Sequence, residues 1–484
     1  MPVSIKHADY SARCAQWERC RDAYEGSDAV KAKSETYLDK LPVQDSEEYE
    51  KYKRRALWYG ATARTVDGLT GAVTRKDPQF MVPDAIVSHL NDVTLMGTPA
   101  SIFVKETLSE ILKVGRHGIL VDMSTSTDPA RPSTTRPYWT CYKAEQIINW
   151  RTAAVNGATV LVLVVLKEYV EKTDKDDEFE VQTIERYRVL SLEDGVYRVR
   201  VFTLKDGAGK TEEYDIKEFT PVFREQPLTE IPFCFVGVRG LGAETEKPPL
   251  LDVVDVNYSH YHSSADLEHG RHYTALPTPW VAGFPKDTKL RIGSSFAWIA
   301  SDPAASAGML EFTGQGLGAL EKALESKERL MAVLGARMLE AEKAGVEASE
   351  TLLLRSAGER STLQSIAIVV GLAFTKILRW HAMWAGIKET STISAELNSD
   401  FTAAPMTSAE LTALMQAWQG GGISYETFYY NLQRGELTRP DITAEDERTL
   451  IETQMGDVTD LTTAHDDTTV LNQPDNQDVN AVNA

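Results

Sequence analysis

Three short segments of the sequence carry residue types that could support chemistry. Gly207-Ala208-Gly209-Lys210-Thr211 looks like the end of a phosphate-binding loop. That loop needs another glycine five residues before Gly209, where Leu204 stands, and the glutamates at 212 and 213 would repel phosphate. A hairpin turn is therefore the favoured interpretation, and nucleotide binding is the alternative.

A histidine-rich stretch offers the second candidate. On a helix, His262, Asp266 and His269 would share one face and could hold a metal ion. The sequence contains no His-Glu-x-x-His motif, and such polar residues on a long helix also serve for hydrogen bonds between subunits. Hydrogen bonding is the favoured interpretation of this stretch, so no metal is expected.

The third candidate is a glycine series, Gly314, Gly316 and Gly318, before a predicted helix. No parallel strand unit and no acidic ribose-binding position accompany it, so a flexible hinge is expected. A Gly-x-Ser-x-Gly nucleophile motif is absent from the sequence as well. Together the three segments predict a protein that is not an enzyme and needs no cofactor.

Composition narrows the class of protein. The chain has 484 residues, 42% of them hydrophobic and 25% charged, as in folded globular proteins. Its four cysteines have no Cys-x-x-Cys spacing, and residues 1–10 lack the pattern of a secretory signal. Two apolar runs, 159–166 and 363–374, fall short of the roughly 20 residues that span a bilayer, so both are expected inside a soluble fold. The net charge of −20 argues against gripping DNA through its phosphates, yet it suits a pore through which DNA slides.

The N-terminal half predicts a mixed α+β domain. Residues up to about 75 are typical of helices, with Ser46 as the expected N-cap of a segment whose apolar face is Trp58, Ala61, Thr65, Leu69 and Ala72. A helix at Ser101–Val114 should lead into a strand at Ile119–Val121. Further strands are expected at Tyr138–Tyr142, Thr159–Tyr169, Ile184–Leu190, Val196–Leu204 and Phe233–Val238, with a turn at 193–195.

Long helices are predicted after Pro248-Pro249. One repeats apolar residues at three- and four-residue steps from Leu251, and another runs from Leu317 to Glu340. Strand-like pieces at 279–282, 295–300 and 309–312 lie between them. A third helix, about 361–385, has no charged residue from Ser361 to Thr375, and we expect neighbouring subunits to bury it.

The C-terminal part predicts a strand at Leu397–Ala403 and then short helices. A capping box at Thr407 and Glu410, a helix start at Ser424 and a helix end at Gly435 mark them. Beyond Gly456 the chain has six aspartates and no lysine or arginine, so this tail is expected to be disordered.

The order of these elements resembles the portal proteins of tailed bacteriophages, from about Tyr49 to Leu450. The strings that carry the resemblance are Val114–Asp122, Ala144–Trp150, Pro248–Tyr273, Ser361–Ser365 and Gly422–Ser424. The resemblance implies an α+β, portal-type fold in a ring-forming homo-oligomer, usually a dodecamer. The implied segments are an N-terminal arm and wing (1–249), a stem helix (250–276), a clip (277–313), a second stem helix (314–340), a tunnel loop (341–358), a long wing helix (359–390), a crown region (391–455) and the disordered acidic tail (456–484).

The resemblance also implies roles for individual residues. The tunnel-loop residues expected to face DNA are Glu342, Lys343, Glu347, Glu350 and Arg355. The clip residues expected to dock partners are Lys286, Lys289, Arg291 and Asp302. The residues of the long helix expected between subunits are Leu363, Ile366, Val370, Phe374 and Ile377.

By the same resemblance, the ring would stand at one capsid vertex as the channel for DNA packaging and ejection. The implied partners are the large terminase subunit, head-completion or adaptor and tail proteins, the major capsid protein, and double-stranded DNA passing without sequence specificity; no membrane is involved. The protein would lie in the virion, and in the host cytoplasm during assembly. Two alternatives stay open: a nucleotide-binding phage enzyme using Gly209-Lys210-Thr211, and an internal capsid or adaptor protein without a channel.

Overall fold

The computed structural model describes residues 2–124, 135–155, 157–173, 179, 181–205, 213–223, 226–275, 278–284, 291, 298–299, 302–310, 314, 316–339, 361–399, 401, 408–435, 437–439 and 442–463. The chain divides into two compact units, Met1–Ser399 and Asp400–Ala484. The first unit holds the sheets and most of the helices, and the described residues of the second unit form three further helices.

Helices form most of the N-terminal region of the first unit. They are α1 (Ala8–Glu25), α2 (Ser27–Ala32), α3 (Ser46–Arg55), α4 (Ala61–Val73), α5 (Asp84–Val87) and α6 (Ala100–Val114). The expected N-cap at Ser46 is wrong, because Asp45 caps α3 by accepting a 2.8 Å hydrogen bond from Glu48 N while the Glu48 carboxylate accepts from Asp45 N. The expected apolar face also spans two helices, since the chain leaves the helix at Ala56 and α4 begins after Gly60.

Two antiparallel sheets lie at the centre of the first unit. The three-stranded sheet has the order β11 (Phe233–Gly237), β2 (Arg116–Met123), β3 (Pro137–Lys143). The five-stranded sheet follows chain order through β4 (Ile147–Val155), β5 (Ala158–Thr173), β6 (Val181–Glu193), β7 (Val196–Leu204) and β8 (Tyr214–Phe219). The predicted strands here are confirmed. Asp194 and Gly195, at φ 52° and 76°, form the predicted turn between β6 and β7, where positive φ suits the twist of a tight hairpin.

The remaining strands are short pairs. β1 (Gln79–Met81) pairs with β14 (Ser394–Glu396), β9 (Val222–Phe223) with β10 (Gln226–Pro227), and β12 (Thr278–Ala282) with β13 (Ser306–Leu310). Of the strand expected at Leu397–Ala403, residues 397–399 and 401 are not in a strand, and 400, 402 and 403 lie outside the described residues. The strand β14 instead ends at Glu396, where its pairing with β1 and the hydrogen bond from Ala395 N to Thr375 Oγ1 (2.9 Å) fix the extended chain.

Three long helices complete the first unit: α7 (Leu251–Ala275), α8 (Leu317–Ala336) and α9 (Thr362–Trp384). Ser361 is the N-cap of α9, and its hydroxyl accepts a hydrogen bond from Gln364 N. Among the described residues α9 is the one helix long and apolar enough to cross a bilayer, but 67% of its most apolar window is buried inside the fold. It is a core helix that packs against β11, β2, β3, α4 and α6.

The position of α9 corrects the expected inter-subunit contact. The five residues proposed for that contact, Leu363, Ile366, Val370, Phe374 and Ile377, are each 0% exposed within a single chain. The expectation was wrong because the three-stranded sheet, β14 and the helices α4 and α6 of the same subunit already cover this face. Phe374, for example, packs edge-to-face with Phe103 and close to Trp139.

The second unit contains α10 (Ser408–Gln419), α11 (Tyr425–Arg434) and α12 (Ala444–Thr463). The predicted start at Ser424 and end at Gly435 are confirmed, since these residues are the N-cap and C-cap of α11. Thr407, half of the expected capping box, lies outside the described residues. The disordered tail was expected from 456, but α12 continues to Thr463; the rest of the tail, 464–484, lies outside the described residues.

Candidate functional site

The helices α7 and α8 form an antiparallel pair that flanks the β12–β13 insert. Lys327 donates hydrogen bonds to Ser259 O (2.8 Å) and Ser263 Oγ (2.7 Å), and farther along the pair Arg271 forms a 2.8 Å ion pair with Glu321. The two helices also meet at Gly270, where a Cβ atom would lie 2.6 Å from Leu317 Cδ2. At 1.5 Å per residue, α7 is roughly 37 Å long.

The first half of α7 is fixed inside the fold by buried polar contacts. Asn257 is 0% exposed; its Oδ1 accepts from Thr62 N (3.2 Å) and Thr62 Oγ1 (2.9 Å), and its Nδ2 donates to Tyr59 O (2.8 Å). Two and a half turns farther, in the second half of the helix, buried Tyr52 donates a 2.7 Å hydrogen bond to exposed Asp266 Oδ1. Because buried polar groups must be paired, this network holds the helix in one register against α3 and α4.

The second half of the pair leaves the core. Residues 271 and 273 of α7 are exposed, and within α8, all of which is described, the structure buries Met331 and Gly335 alone. The open side of α8 mixes charges with apolar residues: Leu330 is 46% and Val333 48% exposed. Glu325 and Arg329 form the predicted pair at four-residue spacing, with 3.7 Å between them. This side of α8 is an apolar and charged surface without a partner in the described chain.

A small β-hairpin stands at the far end of the helix pair. Trp280 of β12 is paired in register with Gly308 of β13, and a Cβ atom at 308 would lie 2.9 Å from Trp280 Nε1. Glycine at 308 therefore lets the indole lie directly over the backbone of β13. Trp280 and Met309 are still 45% and 48% exposed, so the hairpin presents apolar surface at the tip.

The structure places few of the other predicted site residues. The tunnel-loop residues Glu342, Lys343, Glu347, Glu350 and Arg355 lie outside the described residues, as do Lys286 and Lys289 of the clip and the glycine-lysine segment at 207–211. Arg291 and Asp302 of the clip are described and exposed, and Asp302 Oδ1 accepts a 2.8 Å hydrogen bond from Ala304 N in a turn. Their docking role stays a prediction.

The residues of the suspected metal face are engaged elsewhere. His262 Nε2 lies 2.7 Å from Tyr37 O, Asp266 accepts from Tyr52, and the His269 ring packs edge-on against Tyr52 and Tyr273. No group of three metal-ligating side chains occurs among the described residues. The described contacts of these side chains lie within one subunit, whereas the expected hydrogen bonds were between subunits.

Sequence reasoning missed a cluster of charges between the two sheets. Glu168 accepts from Arg188 Nε (2.7 Å) and Tyr142 OH (2.6 Å), and Asp122 lies 3.7 Å from Arg188 Nη1. Burial would raise the pKa of Glu168, but the Arg188 charge and the Tyr142 hydrogen bond outweigh it and leave the pKa below its ordinary value. Burial raises the pKa of Asp122. Polar residues at alternating strand positions are also common on exposed surfaces, so the alternation alone could not identify these residues as a cluster between sheets.

Comparison with known proteins gives limited matches. Residues 249–385, which contain α7, β12, β13, α8 and α9, match a domain of unknown function, DUF4055. No curated protein matches the chain.

Solved structures of gene transfer agent particles are similar to much of the chain at low identity. A chain from the neck of an empty particle is 10% identical, with 78% of this chain and 90% of that chain covered and a TM-score of 0.38. A chain from the neck of a native particle, computed with C12 symmetry, is 11% identical, with 83% and 98% covered and a TM-score of 0.36. A chain from the native virion is 11% identical, with 84% and 98% covered and a TM-score of 0.37.

Proposed function

We propose that this chain is a portal-type connector subunit that forms a ring at one vertex of a phage-like particle and surrounds the path of DNA. The observation that carries the proposal is the α7–α8 pair. One end of this pair lies inside a mixed α/β domain, and the β12–β13 hairpin lies at the other end. In this proposal the helix pair is the stem of each subunit and the hairpin belongs to its clip.

The open side of α8 supports assembly into a ring. Leu330 and Val333 expose nearly half of their side chains, and Glu325 and Arg329 form an ion pair on the same helix beside them. An interface between copies of one chain typically has an apolar centre and a polar rim, and a head-to-tail contact repeated around an axis closes a ring. A second copy is therefore the partner we assign to this surface.

The charge of the chain supports passage of DNA without tight binding. With a net charge of −20 per subunit, a ring of twelve would carry 12 × −20, or about −240. Duplex DNA bears one negative charge per ~1.7 Å, so such a ring offers few places for DNA to adhere. The channel would serve packaging and ejection, and a terminase ATPase and head-completion or tail proteins would dock at the clip.

The proposal assigns no chemical step to this chain. The rival proposal, a nucleotide-binding enzyme using Lys210, predicts ATP binding that is lost in Lys210→Ala. The second rival, an internal capsid or adaptor protein, predicts a protein that forms no ring. Measurements of ATP binding and of particle shape therefore distinguish the three proposals.

The decisive experiment is negative-stain microscopy with mass measurement on the full-length protein. We expect rings with a central hole, and we expect Val333→Glu to reduce them to monomers because the charge would be buried at the interface. Val87→Glu is the matched control, since Val87 has the same 48% exposure on α5. Compact 53.7 kDa monomers for the unmodified protein at all concentrations would overturn the proposal.

A further inference from the structure

A cavity of about 570 Å³ lies among α1, α4, α6 and the β2–β3 pair. Its volume falls within the roughly 300–1,000 Å³ of pockets that hold small organic molecules. The side chains of Tyr24, Ile102 and Phe103 contribute apolar wall, and Gly71 leaves one side open. The cavity is far along the chain from the α7–α8 surface, and the proposed function does not use it.

Two polar atoms on residues that line this cavity lack hydrogen-bond partners. They are Thr70 Oγ1 and His117 Nδ1, on residues that are 3% and 2% exposed, and neither atom has a partner among the described residues. Burial of an unpaired polar atom is unfavourable, so most such atoms in folded proteins are satisfied. Both atoms are covered by neighbouring groups, so a guest with a hydrogen-bonding group in the cavity reaches them only when the Thr70 and His117 side chains rotate towards it.

The charges around the cavity balance each other. Its lining contains three lysines and three carboxylates, at positions 105, 113 and 143 and at 67, 106 and 110. Glu110 is held by Arg21 through bonds of 3.1 and 3.0 Å, which outweigh burial and lower its pKa to about 2. Burial lowers the pKa of His117 to about 4, so its ring is neutral at pH 7. The wall therefore presents neutral hydrogen-bonding groups and no excess of either charge.

We propose that this cavity binds an uncharged small molecule that joins an apolar body to one amide or hydroxyl group. The apolar body would lie against Tyr24, Ile102 and Phe103. The polar group would pair with Thr70 Oγ1 and His117 Nδ1, after small rotations of those side chains. A charged ligand would gain nothing from a lining whose charges already cancel.

The test is a titration of the full-length protein with four benzene derivatives, followed by ligand-observed NMR. The probes are benzamide, toluene, benzoate and benzylamine, which share one ring and differ in the polar group. We expect saturable binding of benzamide that is tighter than that of the other three. Thr70→Val keeps the side-chain shape and removes the hydroxyl, so we expect it to weaken benzamide binding by roughly fivefold and to leave toluene unchanged.

A second pair of variants tests the location. A Cβ atom meets nothing within 4 Å at either Gly71 or Gly68 of α4, but the cavity is lined by Gly71 and not by Gly68. Both glycine-to-leucine changes should stabilise the helix similarly. Gly71→Leu should abolish benzamide binding, and Gly68→Leu should preserve it. Absence of saturable binding, equal binding of benzoate and benzamide, or binding that survives Gly71→Leu would overturn the proposal.

Discussion

Two long helices of similar length, α8 and α9, are covered in opposite ways. The subunit buries 14 of the 23 residues of α9 and two of the 20 residues of α8. The mostly apolar helix is thus covered within one chain, whereas the helix of mixed composition has an open side that no described residue covers. Apolarity along a helix shows that something covers it, but only packing shows whether that cover comes from the same chain. An assembly surface is better sought where apolar residues remain exposed among charges.

The largest effect is expected when a buried aromatic side chain of α9 is removed. Phe374→Ala should lower the free energy of unfolding by about 3–5 kcal/mol, because it opens a cavity beside Phe103 and Trp139. Urea unfolding followed by circular dichroism would measure it. Leu372→Ala on the same helix is the control, since Leu372 is 56% exposed and should change stability little. Equal effects of the two changes would show that α9 is not a core helix.

A pH titration tests the same helix at its C-terminal end. Burial and the charges of His89 and Arg136 lower the pKa of His381 from 6.5 to about 3. A base whose folded pKa lies below its unfolded value contributes stability that is present above pH 6.5 and lost as the pH falls towards 3. Between about pH 6 and 4, the unmodified protein should therefore lose roughly 1.4 kcal/mol per pH unit more than His381→Gln. Parallel stability curves for the two proteins would contradict buried, neutral His381.

A third substitution tests the buried contacts of Asn257, at the end of the helix pair that lies inside the fold. Asn257→Ala should destabilise the subunit by about 2 kcal/mol, because Thr62 N–H and Tyr59 C=O lose their buried partner. Denaturant unfolding of dispersed subunits measures the effect. A loss below about 0.5 kcal/mol would mean that the root of α7 is open to water, as expected of a surface position.

The smallest effect on subunit stability is expected at the open side of α8. Leu330→Ala should change the unfolding free energy of dispersed subunits by less than about 0.5 kcal/mol, since the side chain is 46% exposed. The same change should weaken the ring, which mass photometry over a dilution series would measure. A large loss of subunit stability with unchanged assembly would reverse the roles that we assign to α8 and α9.

Much of the fold follows from local patterns in the sequence. The alternation in Val196–Leu204 and the turn residues Asp194-Gly195 predict β6, β7 and their hairpin, because strand period and positive φ are local requirements. The break between α3 and α4 was missed, since no proline marks it. Its cause is tertiary: Leu57 N donates to Ser264 Oγ of α7, more than 200 positions away.

The candidate sites were less predictable than the elements. The α7–α8 pair follows from helical periodicity and from the small insert between the two helices. Whether α9 is buried within its own subunit or between subunits could not be predicted, because an apolar helix has the same sequence pattern in both cases. The cavity at Thr70 and His117 arises from five elements that meet only in the folded chain, and neither residue belongs to a recognisable motif.

The α7–α8 pair, fixed at one end and projecting at the other, is in engineering terms a cantilever. From Asp266, which accepts the hydrogen bond of Tyr52, to Ala275 the arm measures roughly 14 Å at 1.5 Å per residue. A sideways load at the hairpin tip acts with that leverage on the Tyr52–Asp266 hydrogen bond, while the second helix, joined through Lys327 and Arg271, stiffens the pair against bending. Strain applied at the tip therefore reaches α3 first, and the contacts of Asn257 with Tyr59 and Thr62 bear what remains.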